Sequence, residues 1–115
     1  MSVKTEIWVS AYLRRCFANG LFGAVMRKGA AEAGALFVIA DLLDGRVQLY
    51  GPPPGPVYGE DGERRWVALH RAPVARVEAL ALLERRLKYD PDLWIVDIED
   101  RNGTALLNVE PGDGP

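Results

Sequence analysis

The carboxylates near the C-terminal end of the chain are the side chains whose spacing comes closest to a metal-binding pattern. Asp97 and Glu99 lie two residues apart in an alternating apolar segment, so both carboxylates point to the same face if that segment is a strand. Carboxylate oxygens on one face are ligands for a hard cation such as magnesium. We therefore predict Asp97 and Glu99 as metal ligands. The alternative is that both belong to the solvated face of an edge hairpin.

A second candidate site combines arginines with an aromatic residue. Arg64, Arg65 and Trp66 are consecutive and follow the proline-rich residues 51–56, and Arg101 follows the acidic segment. Arginine binds carboxylates and phosphates through its planar fork, and tryptophan offers a stacking surface. We predict these four residues as ligand-binding, with the first three in a groove between the proline-rich loop and residues 63–70. The alternative is an ordinary polar surface.

Overall charge limits the partners of such a site. The chain has 14 Lys and Arg against 16 Asp and Glu, a net charge of −2. Strong nucleic-acid binding depends on a basic excess that neutralises phosphates, so the charge argues against a nucleic-acid partner. A small anionic ligand, another protein or a second copy of the chain fits this charge better.

The residue types used in nucleophilic catalysis are scarce. Cys16 is the only cysteine and His70 the only histidine, and Cys16 falls within the apolar stripe of the first predicted helix. Residues 29–34 are rich in glycine but lead into a strand and lack the residues of a phosphate-binding loop. We predict no catalytic residue and no cofactor.

The elements that must position these residues follow from hydrophobic periodicity and turn signals. An amphipathic first helix ends at Asn19-Gly20. Asp44-Gly45 and Asn102-Gly103 predict two tight hairpins. The prediction is an α+β domain with a mainly antiparallel sheet of about six strands and two helices, in the order α-β-β-β-β-α-β-β. The strands after the first helix are residues 22–28, 35–43, 46–50 and 63–70, then come a helix over 74–89 and a last hairpin of 93–100 with 104–109.

The second strand is apolar on both faces, which indicates a central strand covered on both sides. With the helices on opposite faces, the fold is a three-layer sandwich. With both on one face, the other face is free to pair with a second subunit. We predict a homodimer that uses a sheet face, Leu82 or the Trp66 region, a single domain over residues 1–110, and a flexible tail over 111–115.

Composition and the first residues of the sequence indicate in which cellular compartment the protein is expected. The 115 residues are 49% hydrophobic and 26% charged, which is typical of globular proteins. Lys4, Glu6 and Ser10 interrupt the apolar residues of the first segment, so it does not read as a secretory signal, and no apolar run is long enough to cross a bilayer. With a single cysteine, the chain is predicted to be cytoplasmic and to bind no membrane.

Four segments together resemble a known family: KTEIWVSAYLRR (residues 4–15), RKGAAEAGALFV (27–38), DGERRW (61–66) and DPDLWIVDIEDR (90–101). They are similar to an uncharacterised family of short, single-domain bacterial proteins of about 110 residues, a domain of unknown function found mainly in alphaproteobacteria. The resemblance spans nearly the whole chain. It implies a bacterial, cytoplasmic, stand-alone domain, and it implies no activity and no catalytic residues.

No motif specifies a reaction. The leading hypothesis is therefore a non-enzymatic, cytoplasmic ligand- or protein-binding domain. The alternative is a small metal-dependent enzyme that acts on a phosphorylated or nucleotide-like substrate, with Asp97 and Glu99 as its metal ligands.

Overall fold

The computed structural model describes residues 3–111. Two helices and six strands form the fold, which confirms the predicted α+β class. Of the predicted tail, residues 112–115 lie outside the described residues. The elements are α1 (Thr5–Ala18), β1 (Phe22–Arg27), β2 (Leu36–Asp41), β3 (Arg46–Gly51), β4 (Val67–Ala68), β5 (Val74–Ala75), α2 (Arg76–Tyr89) and β6 (Trp94–Glu99).

The first helix buries one apolar stripe and ends where the sequence predicts. Val9, Tyr12 and Cys16 recur at helical spacing and are buried. Gly20 takes a φ of +78°, and the N–H of Leu21 donates to the Cys16 carbonyl at 2.9 Å. A left-handed glycine with such a backward bond closes the last turn of α1.

All six strands belong to one mixed sheet. The strand order is β1-β6-β2-β3-β4, and the short β5 also pairs with β3. Strands β2 and β6 are parallel because the chain returns through α2, whereas the other pairs are antiparallel. The Asp44-Gly45 hairpin between β2 and β3 is confirmed, with the Leu42 N–H donating to the Arg46 carbonyl at 3.0 Å.

The two helices cover opposite faces of this sheet. Successive residues of β2 face opposite helices. Leu36, Val38 and Ala40 lie in the apolar cluster beneath α1, called the α1 core. Phe37 and Ile39 lie in the cluster beneath α2, called the α2 core. The fold is therefore a three-layer sandwich, as the apolar character of β2 on both faces indicates. Neither helix within residues 3–111 is long and apolar enough to cross a bilayer.

The predicted second strand of the last hairpin does not form. Strand β6 already pairs with β1 on one edge and β2 on the other, so no edge is left for residues 104–109. Ala105 and Leu106 instead take positive φ values of 51° and 59°, and Val109 makes a parallel bridge to Trp66. The chain after β6 thus crosses the end of the α1 layer.

The predicted strand over residues 63–70 is shorter in the structure, where β4 has two residues. One edge of β3 is shared between β4 and β5, with Tyr50 opposite Ala68 and Arg46 opposite Ala75. The first two residues of the predicted second helix therefore form β5. Residues 58–64 form a separate small hairpin, in which Tyr58 bridges Arg64.

Candidate functional site

Arg64 is a buried cation surrounded by aromatic rings. Its guanidinium carbon lies 5.3 Å from the ring centre of Trp8, 5.4 Å from that of Tyr58 and 5.9 Å from that of Trp66. The residue is only 8% exposed. Cation–π attraction by three rings stabilises the charge and offsets part of the cost of removing it from water.

The Arg64 guanidinium has no hydrogen-bond acceptor within residues 3–111. Its Nε atom is buried without a partner, and none of the hydrogen bonds or ion pairs found among the described residues uses its terminal nitrogens. Buried donors are nearly always satisfied in folded proteins, and Nε is an exception here; the terminal nitrogens also lack a partner among the described residues but are not fully buried. Such open donors are suited to receive an anion.

Three separate parts of the chain hold Arg64 in place. Trp8 comes from α1, and its ring stacks on Tyr12 with ring centres 4.9 Å apart. Tyr58 comes from the small hairpin, where the N–H of Gly59 donates to the Glu63 carbonyl at 2.9 Å. Trp66 begins the segment that leads into β4 and is only 1% exposed. The cluster therefore forms only when α1, the hairpin and β4 come together.

Two grooves meet at Arg64. The first, of about 460 Å³, we call the proline groove; it lies between the start of α1, residues 32–35 and the proline-rich loop. The second, of about 440 Å³, we call the helix groove; it lies between α1, the small hairpin and residues 106–108. Besides Arg64, the proline groove is lined by Val3, Thr5, Glu32, Ala33, Gly34, Ala35, Pro52, Pro56, Val57 and Tyr58. The helix groove is lined by Trp8, Arg15, Asp61, Glu63, Trp66, Leu106, Leu107 and Asn108.

The proline groove lies beside the predicted loop, and of the four predicted ligand-binding residues Arg64 is the one that lines it. Arg65 is not free, because its guanidinium donates to both oxygens of Glu110 and to the Pro56 carbonyl. Trp66 is a buried wall behind Arg64 rather than an open stacking surface. Arg101 is exposed in the turn after β6 and lines neither groove. Ligand binding by these residues stays a prediction.

Sequence reasoning missed Trp8 and Tyr58, which flank the Arg64 guanidinium. Trp8 belongs to the apolar stripe of α1 and reads as an ordinary core residue. Tyr58 carries a clearer signal, because it is an aromatic residue in a loop otherwise rich in glycine and proline. Large aromatic residues in such loops pack onto something nearby, here a cation.

Of the two predicted metal ligands, Asp97 is paired with an arginine. Arg76, the first residue of α2, donates to Asp97 and lies 3.5 Å from a carboxylate oxygen of Asp41. The hydrogen bond to Asp97 raises the pKa of Arg76. Glu99 is exposed at the end of β6. Among residues 3–111, no group of three or more His, Cys, Asp or Glu side chains is placed to hold a metal ion. A metal bound by Asp97 and Glu99 stays a prediction, and it would have to displace Arg76.

Cys16 and His70 lie in different parts of the fold. Cys16 is fully buried in the α1 core, and this burial raises the pKa of its thiol. His70 follows β4, where its carbonyl accepts a hydrogen bond from the Gln48 side chain at 3.4 Å. A buried, protonated thiol in an apolar core is a poor nucleophile.

Comparison with known proteins identifies the family. A family model described as "Protein of unknown function (DUF1491)" matches residues 3–108. The chain belongs to the DUF1491 family. This confirms the resemblance inferred from the four sequence segments.

Solved DUF1491-like structures share this fold. The solution structure of an A. tumefaciens protein is 43% identical, with all of both chains covered and a TM-score of 0.82. A crystal structure of a DUF1491 protein from Caulobacter crescentus is 37% identical over 96% of this chain and 100% of that one, with a TM-score of 0.77. An NMR structure of a DUF1491 protein from the same organism is 38% identical over 96% and 99% of the two chains, with a TM-score of 0.74. No curated protein matches the chain.

Proposed function

We propose that this DUF1491 protein is a non-enzymatic, cytoplasmic binding domain that takes a small anionic ligand on Arg64. One observation carries the proposal: a buried guanidinium has no acceptor among the described residues and lines two grooves. An anion in either groove supplies the missing acceptor. It also supplies the counter-charge that a buried cation otherwise lacks.

The neighbouring Arg65 is an arginine whose charge is paired within the protein. Arg65 lies next in the chain and forms a forked ion pair with Glu110. Arg64 is more deeply buried than Arg65 and has no such carboxylate. The difference supports a ligand, rather than a side chain of this protein, as the partner of Arg64.

The lining of the grooves argues against nucleophilic catalysis. No serine, cysteine or histidine is among the residues that line either groove in the described part of the chain. The hydroxyl of Thr5 is engaged, since it donates to the Gly34 carbonyl at 3.0 Å. Nucleophilic catalysis needs an activated hydroxyl, thiol or similar group within reach of the substrate.

A thermal-shift screen against small carboxylates, inorganic phosphate and nucleotides tests the proposal. A ligand present at about 100 times its dissociation constant should stabilise the protein by about 2.7 kcal/mol. Arg64→Met should abolish this stabilisation. Arg86→Met is the matched control, because Arg86 also lies over an aromatic ring, that of Phe37, at 5.7 Å, but lines neither groove.

Two outcomes contradict the proposal. One is that no anion stabilises the protein. The other is that Arg64→Met and Arg86→Met respond to the active anion as the unaltered protein does, which would place binding elsewhere.

A further inference from the structure

The proline groove combines one cation with apolar walls. Its lining includes six side chains without polar groups: Val3, Ala33, Ala35, Pro52, Pro56 and Val57. Prolines and alanines make a wall of little conformational freedom. Such walls favour a ligand that brings apolar surface to be removed from water, in addition to a charged group.

Most other donors around this groove are already in use. The first backbone N–H groups of α1 are occupied, with Thr5 donating to the Glu32 carbonyl at 3.0 Å and Glu6 to that of Ala31 at 2.9 Å. The Tyr58 hydroxyl points to the Val3 carbonyl at 3.4 Å. The start of α1 therefore offers little to an anion, and Arg64 is the cation that lines this groove.

The charge around the groove sets the charge of the ligand. Arg64 contributes one positive charge, and the carboxylate of Glu32 lies on the same lining. Lys4 approaches Glu32 to 3.6 Å, but both side chains are largely exposed, so this pair is screened by water. A phosphate monoester carries close to two negative charges and favours several donors. A single negative charge matches a single guanidinium better.

A carboxylate also matches the shape of the donor. The guanidinium is a planar fork that binds the two oxygens of a carboxylate side by side. The terminal nitrogens of Arg64 have no partner among the described residues, and aromatic rings lie against the guanidinium on several sides. This packing restricts the side chain before the ligand arrives, which lowers the entropic cost of binding.

From these observations, and resting on the proposed function, we infer that the proline groove binds a monocarboxylate with an apolar tail. The carboxylate pairs with Arg64, and the tail lies against the proline and alanine wall. This chemistry occurs both in free short-chain acids and at the C-terminus of a peptide that ends in an apolar residue.

Calorimetric titration of the unaltered protein tests the ligand class with a matched pair of probes. N-acetyl-leucine carries the carboxylate and the branched tail, whereas N-acetyl-leucinamide keeps the tail and loses the charge. We expect the acid to bind at least about tenfold more tightly than the amide, since hydrogen bonds to a charged group contribute about that factor. Acetate, which lacks the tail, should also bind more weakly than N-acetyl-leucine.

Two further probes distinguish the sources of the carboxylate. 4-Methylpentanoate represents a free acid, and a five-residue peptide ending in leucine represents a C-terminus. Tighter binding of the acid assigns the groove to small metabolites, and tighter binding of the peptide assigns it to protein termini. Both results support the inference, because the shared group is the carboxylate with its apolar tail.

Variants locate the site. Arg64→Lys keeps the charge but loses the fork, and should weaken N-acetyl-leucine binding by about tenfold or more. Ala33→Trp places a large side chain on the exposed wall and leaves residue 64 unaltered, so it should block the ligand even if substitutions of Arg64 disturb folding. Arg86→Met should leave the affinity unchanged.

The outcomes separate this inference from the proposed function. Equal binding of N-acetyl-leucine and its amide, or binding unaffected by Ala33→Trp, would overturn the inference. Tighter binding of phosphate that depends on Arg64 would overturn the inference while leaving the proposed anion site intact. Absence of binding by every carboxylate and phosphate would overturn both.

Discussion

At the scale of single residues, Asp100 shows how one buried carboxylate shapes the chain after β6. It is 7% exposed, and its oxygens accept from the N–H groups of Asn102 at 3.0 Å and Ala105 at 2.9 Å. We expect Asp100→Ala to lower the free energy of unfolding by about 1–3 kcal/mol, because it leaves the buried N–H of Ala105 without an acceptor. Asp92→Ala, at an exposed carboxylate, is the control and should cost less than about 0.5 kcal/mol. Urea denaturation measures both, and equal losses would contradict this role.

Three buried groups of the α1 core predict a loss of stability at alkaline pH. Burial is the main cause that raises the pKa of Tyr12, Cys16 and Tyr50 above the ordinary values of 10.0 for tyrosine and 9.0 for cysteine. The unfolded chain therefore loses these protons first as pH rises. Their contribution to stability is complete below the ordinary values and is lost as pH rises towards the raised pKa values.

The measurement is the free energy of unfolding in urea at about pH 8 and about pH 10.5, which we expect to fall between the two. Cys16→Ala is the diagnostic variant, because it removes the thiol that titrates first and should make the fall shallower. A free energy that stays level across this range would show that these groups ionise freely in the folded protein.

The residue pair Arg64 and Arg65 shows what sequence can and cannot indicate about the site. The sequence marks two arginines and a tryptophan next to a proline-rich loop, and of these Arg64 lines the proline groove. It does not indicate which arginine is buried, because that depends on Trp8 from α1 and on Glu110 near the end of the chain. These partners are distant in sequence, and local patterns do not report on distant partners.

At the scale of elements, the loop between β1 and β2 is set by close backbone packing. A Cβ atom added at Gly29 would lie 2.1 Å from the Asp92 carbonyl oxygen, and Ala30 donates to that same oxygen at 2.9 Å. Gly29→Ala should therefore cost about 1–3 kcal/mol, because backbone has to move. Gly59→Ala is the control, since its added Cβ would first meet the Asp61 side chain at 3.1 Å. Thermal denaturation that ranks Gly59→Ala as the more damaging would contradict this explanation.

The glycines of the same loop have a structural role that is independent of phosphate binding. The sequence predicts a strand connection at residues 29–34, and the structure confirms it by joining β1 to β2. The physical reason for its glycines is the approach to Asp92 and Leu93, which the sequence alone does not show. The residues that favour a turn are neighbours in the sequence, whereas the close approach of two loops depends on residues far apart in the sequence.

The final hairpin is the element for which sequence patterning was wrong. Residues 104–109 follow an Asn-Gly turn signal and contain several apolar residues, which favours a strand locally. Strand β6 has no free edge, because β1 and β2 occupy both. Pairing of β2 with β6 in parallel depends on the path through α2, so it is a property of the whole topology.

At the scale of the whole molecule, the three-layer arrangement restricts how two copies can associate. Helices cover both faces of the sheet, Trp66 is buried, and Leu82 packs partly against the α2 core. The surfaces that the sequence predicts for a homodimer are thus largely covered. The homodimer stays a prediction, and one exposed apolar surface suited to it is the edge strand β1, with Phe22, Val25 and Met26.

Sedimentation velocity over a wide range of protein concentration tests this association. An unpaired edge strand is a template for pairing with another strand, so we expect a dimer that Val25→Lys converts to a monomer. Val77→Lys is the control, since Val77 is exposed on α2, away from this edge. A monomer at every concentration would remove the homodimer.

Most of the overall architecture can be predicted from the sequence, whereas the Arg64 site cannot. Strand β2 is apolar at successive positions, and a strand buried on both faces needs a layer on each side. Helix ends and the first tight hairpin follow from short turn signals. The Arg64 cluster joins three distant segments, and only the folded chain brings them together.

The most direct measurement follows the Nε–Hε resonance of Arg64 by NMR, assigned by comparison with Arg64→Lys, during titration with N-acetyl-leucine and with phosphate. We predict that this resonance shifts and saturates with an anion, while the corresponding resonance of Arg86 stays in place. An Arg64 resonance that no carboxylate or phosphate moves would contradict the anion site.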